Sequence, residues 1–199
     1  MPKRVDQEER RRYIAEAVLR LLAAGGLDAV SLRDVAAEAG VSMGMVQHYF
    51  ASKDRMLTFA CEYLVERTRE RIQEEFGSRS SPPSARELLR QVYLQMLPLD
   101  DERRAGIRVW FAFLARAVVE PELEAFMRAT WTGSHRFFAS IIESGREQGG
   151  ISRAIDPGRE AIRARSLVDG LVPHVLLGHY TEDAALAAID SYLEELFSR

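Results

Sequence analysis

Cysteine and long hydrophobic runs are scarce in this sequence of 199 residues. The single cysteine, Cys61, excludes an internal disulfide and most thiolate metal sites, which favours a reducing compartment. No apolar run approaches the roughly 20 residues that a membrane-spanning helix needs. The charged stretch at 1–12 lacks the apolar segment of a signal peptide. We therefore expect a cytoplasmic protein with no membrane partner.

The chain also lacks a large excess of positive or negative charge, since its net charge is only −3. Such a balance argues against a chain coated with nucleic acid over its whole surface. Residues 1–60 carry nine Lys and Arg against eight Asp and Glu, whereas residues 61–199 carry 18 against 22. The asymmetry fits a DNA-reading end joined to an acidic body, but it is too small to decide the function by itself.

Hydrophobic residues recur at helical spacing along nearly the whole chain. No alternating run of β-branched residues is long enough to form a sheet, so we expect an all-α fold. The spacing predicts about nine helices, near 8–24, 32–39, 43–50, 53–77, 85–97, 103–118, 121–147, 158–178 and 182–197. The stretches 107–119 and 167–177 carry few charges and are expected to be surrounded by other helices. In the second stretch, Gly170 is expected to permit a close approach and Pro173 to bend the axis.

Residues 31–50, SLRDVAAEAGVSMGMVQHYF, have the pattern of a helix-turn-helix. Gly40 allows the left-handed backbone that turns the chain between the two helices. Ser42 is expected to cap the second helix, and Val46 and Phe50 to anchor it inward. Several side chains of this helix are then left facing outward, available to a DNA groove: Met43, Met45, Gln47, His48 and Tyr49. Taken alone, the pattern also fits a plain corner between two helices.

The residues that follow favour DNA binding over a plain corner. Lys53 lies at the start of the next predicted helix, which Ser52 is expected to cap. A cation at that end opposes the helix dipole. An external anion such as a DNA phosphate gives a physical reason for a lysine there.

The helix at 8–24, the segment 31–50 and the SKDRML that follows together resemble the TetR family of transcriptional regulators. The resemblance covers roughly the first third of the chain and implies a dimeric, ligand-responsive DNA-binding protein, usually a repressor. It implies phosphate contacts by Ser31, Tyr49 and Lys53, and a recognition helix at Met43–His48. The complete set expected at the DNA is Ser31, Arg33, Ser42, Met43, Gly44, Met45, Gln47, His48, Tyr49 and Lys53.

Gln47 departs from the family pattern, because many members have tyrosine at this position. The departure weakens the case for a phosphate contact here. It favours a base contact instead, since a glutamine amide can both donate to and accept from the edge of an adenine.

The rest of the chain is similar to the ligand-binding part of the same family. The stretches VWFAFLARAVVEPEL and SLVDGLVPHVLLG are similar to the subfamily typified by the choline-responsive repressor BetI. This second resemblance extends from about 85 to 190, through patterns that are less specific than those of the DNA-binding part.

Aromatic residues on two neighbouring helices are expected to be buried, either as ordinary core or as the wall of a ligand pocket: Trp110, Phe113, Trp131, Phe137 and Phe138. Asp169 lies in an apolar run, where an unpaired carboxylate is costly. We expect it to pair with Arg116, Arg163 or Arg165; otherwise it would accept a cationic ligand, with the Trp rings adding cation–π attraction. The candidate pocket consists of Trp110, Phe113, Trp131, Phe138, Asp169 and His174.

Neither a metal site, a cofactor nor a catalytic residue is expected. His174 and His179 are five residues apart, a spacing that does not place them on one face of a helix. Together with His135, they are expected either to have hydrogen-bond partners within the protein or to face solvent. The acidic row Glu62, Glu66, Glu70 and Glu74 is interleaved with arginines and is expected to be a solvated face. Cys61 is expected to be a small buried hydrophobic residue.

The sequence therefore predicts a transcriptional regulator with a DNA-binding part at 1–60 and a ligand-binding and dimerisation part at 61–199. We expect a homodimer through the helices near 158–178 and 182–197. A small-molecule inducer is expected to release it from a palindromic double-stranded DNA operator, with the long fourth helix as the lever. Two other classes stay open here: a helical small-molecule binding protein without DNA-regulatory activity, and a helical enzyme.

Overall fold

The computed structural model describes residues 2–77 and 82–198, and the side chains within them except those of 2–6, 28 and 75–77. These residues form nine α-helices, one short 3-10 helix at Leu27–Ala29 and no strand, which confirms the all-α prediction. The helices are α1 (Pro2–Gly25), α2 (Leu32–Glu38), α3 (Met43–Tyr49), α4 (Lys53–Gly77), α5 (Ala85–Met96), α6 (Asp101–Ala117), α7 (Pro121–Glu147), α8 (Pro157–Leu176) and α9 (Glu182–Phe197). None of the described helices is both long and apolar enough to cross a membrane.

Serine caps begin α2, α3 and α4 where the sequence predicts them. The hydroxyl oxygens of Ser31, Ser42 and Ser52 accept hydrogen bonds from the backbone N–H groups three residues later, at 3.2, 3.1 and 3.2 Å. Each bond satisfies a backbone donor that the first turn of a helix leaves without a partner. These caps fix the starts of α2 and α3, which form the predicted helix-turn-helix, and of α4, which follows it.

The helices form two compact units that are not continuous in sequence. The amino-terminal unit comprises the chain up to Glu70 together with Ala105–Glu124, and the carboxy-terminal unit comprises Arg71–Arg104 and Ala125–Arg199. Three helices, α4, α6 and α7, therefore contribute residues to both units.

The amino-terminal unit has a core of aliphatic and aromatic side chains from six helices, α1 to α4, α6 and the start of α7. Residues buried in it are Ile14, Val18, Leu22, Val35, Val46, Phe50, Met56, Leu57, Cys61, Val109, Phe113, Ala117 and Leu123. From α6 only the stripe of Val109, Phe113 and Ala117 is fully buried. The prediction that 107–119 is surrounded on all sides is wrong, because Val118 and Val119 follow the end of α6 and are exposed.

The carboxy-terminal unit is held by polar links as well as by apolar packing. The Tyr93 hydroxyl donates to the Ala164 carbonyl at 3.0 Å, and the Tyr192 hydroxyl donates to the buried carboxylate of Glu160 at 2.8 Å. These bonds join α8 to α5 and to α9. Gly170 of α8 faces open space, so the expected close approach at this glycine is wrong within the single chain.

Candidate nucleic-acid interface

The turn between α2 and α3 is built around one glycine. Gly40 has a φ of 64°, the left-handed conformation that the sequence predicts. The backbone N–H of Val41 donates to the Ala36 carbonyl at 2.9 Å, and that of Gly40 donates to the Ala37 carbonyl at 3.1 Å. This pair of bonds is a Schellman turn, which satisfies the last carbonyls of α2 and redirects the chain into α3.

Helix α3 presents one side to the core and the other to solvent. Val46 and Phe50 are buried, as predicted. The side that faces away from the core carries Met43, Gly44, Met45, Gln47 and His48, all exposed, together with the half-buried Tyr49. A short exposed helix with these side chains has the presentation that a recognition helix needs to enter the major groove.

Three contacts that the sequence did not reveal hold α2 and α3 against α1 and α4. The Tyr13 hydroxyl of α1 donates to the carbonyl of Ala39 at the end of α2, at 2.9 Å. The Arg11 guanidinium lies 4.1 Å from the ring centroid of Phe59 and 5.4 Å from that of Phe50. The two phenylalanine rings are themselves 5.6 Å apart. Cation–π and ring–ring contacts of this kind add to the burial of apolar area in fixing the end of α3.

The remaining residues predicted to touch DNA lie at the amino ends of α2, α3 and α4. Arg33 and Ser42 are exposed, and Ser31 and Lys53 are half-buried. The Ser31 hydroxyl donates to the Asp34 carboxylate in addition to its capping role. A phosphate contact by this hydroxyl would therefore require it to turn away from Asp34.

Ion pairs surround Lys53 at the start of α4. Arg116, at the end of α6, donates to the carboxylates of both Asp54 and Glu120. Hydrogen bonding to Glu120 and the negative charges of Glu120 and Asp54 raise the pKa of the Arg116 guanidinium. Arg55 pairs with Glu122 at 2.7 Å. Asp54 and Arg55 thus have partners of opposite charge, whereas Lys53 has no partner among the ion pairs of the described residues.

A cleft of about 260 Å³ lies beside the end of α3 in the same unit. Arg11, Tyr49, Arg55, Phe59 and Glu62 are among the residues that line it. Its volume is below the range of roughly 300–1,000 Å³ that is usual for small-molecule pockets. None of the residues of the predicted ligand pocket lines this cleft.

The residues of the predicted ligand pocket differ widely in exposure. Phe113 and Phe138 are buried and Trp110 is half-buried. The expected burial of Trp131 and Phe137 is wrong, because their side chains are 41% and 39% exposed. Helical spacing placed them on α7 correctly, but it cannot show whether a neighbouring helix covers a given turn.

Asp169 is paired and exposed rather than enclosed in apolar surroundings. The Nε of Arg165 donates to both of its carboxylate oxygens at 2.9 Å, which confirms one of the three partners that the sequence suggested. The Arg165 guanidinium also donates to the Ser134 hydroxyl at 2.7 Å. The charge of Asp169 is therefore compensated within the chain, and its apolar sequence surroundings did not mean burial.

The histidines near the end of α8 correct one expectation. Gly178 has a φ of 74° and turns the chain back, so that the N–H groups of His179 and Tyr180 both donate to the His174 carbonyl. The His174 and His179 rings are consequently 5.2 Å apart, although their spacing would separate them on a continuous helix. Both are exposed and His135 is half-buried, and the described residues contain no group of three or more side chains that could hold a metal.

Two further expectations for α4 are confirmed. Glu62, Glu66, Glu70 and Glu74 are all exposed and form a solvated face. Cys61 is fully buried, and burial, with a smaller contribution from the charge of Glu62, raises the pKa of its thiol to about 12.

Comparison with known proteins identifies relatives over the whole chain. Residues 14–58 match the family described as bacterial regulatory proteins, tetR family. Residues 85–198 match the family described as BetI-type transcriptional repressor, C-terminal. The HTH-type transcriptional regulator PksA of Bacillus subtilis is 35% identical over 89% of this chain and 83% of its own length. The HTH-type transcriptional regulator BetI of Burkholderia thailandensis is 27% identical over 100% of this chain and 98% of its own.

Solved structures of regulators share the fold. A transcriptional regulator from Saccharomonospora viridis, solved in complex with choline, is 26% identical with a TM-score of 0.83, over 94% of this chain and 96% of that one. A TetR-family regulator from a Rhodococcus species is 27% identical with a TM-score of 0.82, over 96% of this chain and 99% of that one.

Proposed function

The chain belongs to the TetR family of transcriptional regulators, and from this we propose that it is a repressor that binds a palindromic DNA operator as a homodimer and leaves it when a small inducer binds. The single observation that supports the DNA contact best is that α3 has one side buried in the core and the other exposed to solvent. Val46 and Phe50 anchor this helix in the core, while Met43, Met45 and Gln47 are exposed. We propose 1–60 as the DNA-binding part and 61–199 as the part that binds inducer and dimerises.

In this proposal the contacts with DNA have two kinds. Residues Met43–His48 enter the major groove, and the amide of Gln47 reads the edge of an adenine. Ser31, Tyr49 and Lys53 contact phosphates, which position the protein without reading the sequence. Arg33, two residues after Ser31, and Ser42, directly before α3, are both exposed and add to the contacts with the DNA backbone in this proposal.

For the dimer, we propose that α8 and α9 form an isologous contact. Exposed apolar residues support this choice, because Ile162 is 59% exposed and Leu177 is 83% exposed in the single chain. Gly170 and Ser166 are exposed small residues on the same helix, which would let a second helix come close. A two-fold axis would then present two copies of α3 to half-sites about 34 Å apart, one turn of DNA.

We propose that the inducer is a small organic molecule with a cationic group. The relatives named BetI and the neighbouring structure with bound choline support this class of ligand. Since Arg165 compensates Asp169, recognition of the cation would rest on aromatic rings, such as that of the exposed Trp131. Calorimetry with quaternary ammonium compounds and matched neutral analogues tests this point; heat from acids or neutral aromatics alone would contradict it.

The proposed mechanism is a shift between two populations of the dimer. Inducer favours a state in which the two copies of α3 no longer match both half-sites, and DNA favours the other state. Helix α4 is the proposed lever, because it begins at Lys53 and contributes residues to both compact units. This function also implies a cytoplasmic location, where the operator is.

Selection of bound sequences from a random pool of duplex DNA tests the proposed function. We expect a palindromic consensus that binds one dimer, with affinity that falls steeply as salt rises. The same binding measured with and without added ligand then tests release. If no sequence is enriched and binding to every duplex is equally weak, the chain does not act as a DNA-binding regulator.

A further inference from the structure

Two ion pairs connect the first turn of α4 to the corner between α6 and α7, which we define as residues 116–122. On one side, Nη2 of Arg116 donates to the carboxylate of Asp54. On the other, Nη1 of Arg55 lies 2.7 Å from a carboxylate oxygen of Glu122. Two successive residues of opposite charge thus meet partners of complementary charge at one corner.

The Arg116 guanidinium is held more firmly than that of an ordinary surface arginine. Its Nε donates to the carboxylate of Glu120 at 2.5 Å, while Nη2 reaches Asp54, so that two carboxylates fix one planar group. Its side chain is only 19% exposed, whereas that of Asp54 is 61% exposed. The corner itself is tight, because the N–H groups of Val119 and Glu120 both donate to the Arg116 carbonyl, at 3.0 and 3.1 Å.

This arrangement bears on Lys53 because Asp54 is its neighbour in the same helical turn. An anion attracted to the Lys53 ammonium is repelled by the carboxylate of Asp54 unless a cation compensates it. Arg116 supplies that compensation from outside the helix-turn-helix. Its fixed geometry also restrains the first turn of α4, from which the Lys53 side chain extends.

We infer that Arg116 is a positioning residue for the phosphate contact of Lys53, and that it acts through Asp54 rather than by touching DNA. This inference rests on the proposed function, since it assumes that Lys53 binds a phosphate of the operator. It assigns a determinant of operator affinity to a residue 62 positions along the chain from Asp54, outside the segment that reads the DNA.

A double-mutant cycle in operator affinity tests the inference. The proteins are the full-length wild type, Arg116→Ala, Asp54→Asn and the double variant, with fluorescence anisotropy on a labelled operator duplex over a series of salt concentrations. Arg116→Ala should bind about fivefold more weakly, the size of a well-formed surface ion pair. Its salt slope should match that of the wild type, because no phosphate contact is lost. Adding Asp54→Asn should restore the affinity to within about twofold of Asp54→Asn alone.

Arg71→Ala is the matched control. Arg71 pairs with Glu102 at 3.2 Å and thereby also links α4 to α6, with similar exposures of 29% and 62%. It lies about 27 Å along the helix axis from Lys53, so its loss removes the same charge without affecting the first turn of α4. We expect its operator affinity to stay within about twofold of the wild type.

Two results would overturn the inference. In the first, Arg116→Ala binds the operator as tightly as the wild type. In the second, Asp54→Asn fails to restore binding and the salt slope of Arg116→Ala falls by about one, which would make Arg116 a direct phosphate contact. If Arg116→Ala does not fold, as judged by thermal unfolding, Arg116→Gln removes the charge while keeping a donor for Glu120, and the same two outcomes apply.

Failure of this inference is distinguishable from failure of the proposed function. If the wild type selects no operator, the proposed function is wrong. If the wild type binds and Lys53→Ala loses affinity and salt slope while Arg116→Ala does neither, the function stands and only the role of Arg116 is wrong.

Discussion

Gln47 lies on the exposed side of α3, directly after the buried anchor Val46. If its amide reads an adenine, Gln47→Ala should relax the preference at one base pair of the operator by about 1–3 kcal/mol and leave the other positions unchanged. Parallel selection of DNA by the wild type and the variant measures this. Identical preferences at every position would mean that Gln47 does not read a base.

Lys53 is the side chain on which the phosphate assignment depends most. Lys53→Ala should weaken binding to the operator and to unrelated duplexes alike, because phosphates carry no sequence information. The slope of log K against log salt should decrease by about one. A salt titration of both proteins measures it, and an unchanged slope would show that the ammonium contacts no phosphate.

Cys61 offers a test of the core of the amino-terminal unit. Burial raises the pKa of its thiol to about 12 in the folded protein, against an ordinary value of 9.0, so the folded protein keeps the proton at pH values where the unfolded chain loses it. The group therefore contributes no pH dependence below pH 9, and above it stability should fall as pH rises. A thiol reagent at pH 8 should react slowly with the folded protein and rapidly after denaturation; rapid reaction of the folded protein would contradict the burial.

At the scale of single contacts, sequence separation decided what could be predicted. The serine caps and the Arg165–Asp169 pair lie within four residues, so helical geometry alone suggests them. The contacts of Tyr13 with Ala39 and of Arg116 with Asp54 join residues 26 and 62 positions apart. Only the packing of whole helices brings such partners together, and no local pattern encodes it.

At the scale of elements, the turn of the helix-turn-helix depends on the left-handed backbone at Gly40, which glycine adopts without strain. Its φ of 64° is unfavourable for residues with a Cβ, so Gly40→Ala should lower the free energy of unfolding by about 1–2 kcal/mol. Gly106→Ala is the control, because it lies inside α6 and its Cβ would meet only an ordinary contact of 3.6 Å with Leu64. That control should raise stability by about 0.5–1 kcal/mol. Denaturant unfolding measures both, and equal effects would show that the turn does not require a glycine at position 40.

Helices were easier to predict than their surroundings. Apolar periodicity, caps and prolines located all nine helices. The start of α1 at Pro2 was missed because its first two turns are polar and leave no apolar periodicity, while proline is tolerated at the start of a helix. The 3-10 helix at Leu27–Ala29 is too short to leave a periodic signal. Exposure of Trp131 and Val119 was missed because the amphipathic pattern of one helix does not say how far its neighbours extend.

At the scale of the whole molecule, the dimer remains a prediction with a direct test. Ile162 is 59% exposed on α8, so Ile162→Glu should be tolerated by the single chain but should place a charge in the proposed interface. Light scattering should show a monomer at concentrations where the wild type is dimeric, and operator affinity should fall. Val118→Glu, at an exposed valine after α6, is the control and should remain dimeric. A dimeric Ile162→Glu would exclude this face.

The discontinuity of the amino-terminal unit bears on how regulators of this kind can be recombined. Its residues come from two separate stretches, and the second, Ala105–Glu124, supplies the buried Phe113 and the guanidinium that pairs with Asp54. A chimaera joined at a single point after α4 would take the first stretch of this unit from one parent and its second stretch, Ala105–Glu124, from the other. Exchange of DNA specificity between relatives therefore calls for grafting both stretches together, or for choosing parents whose corner residues carry matching charges.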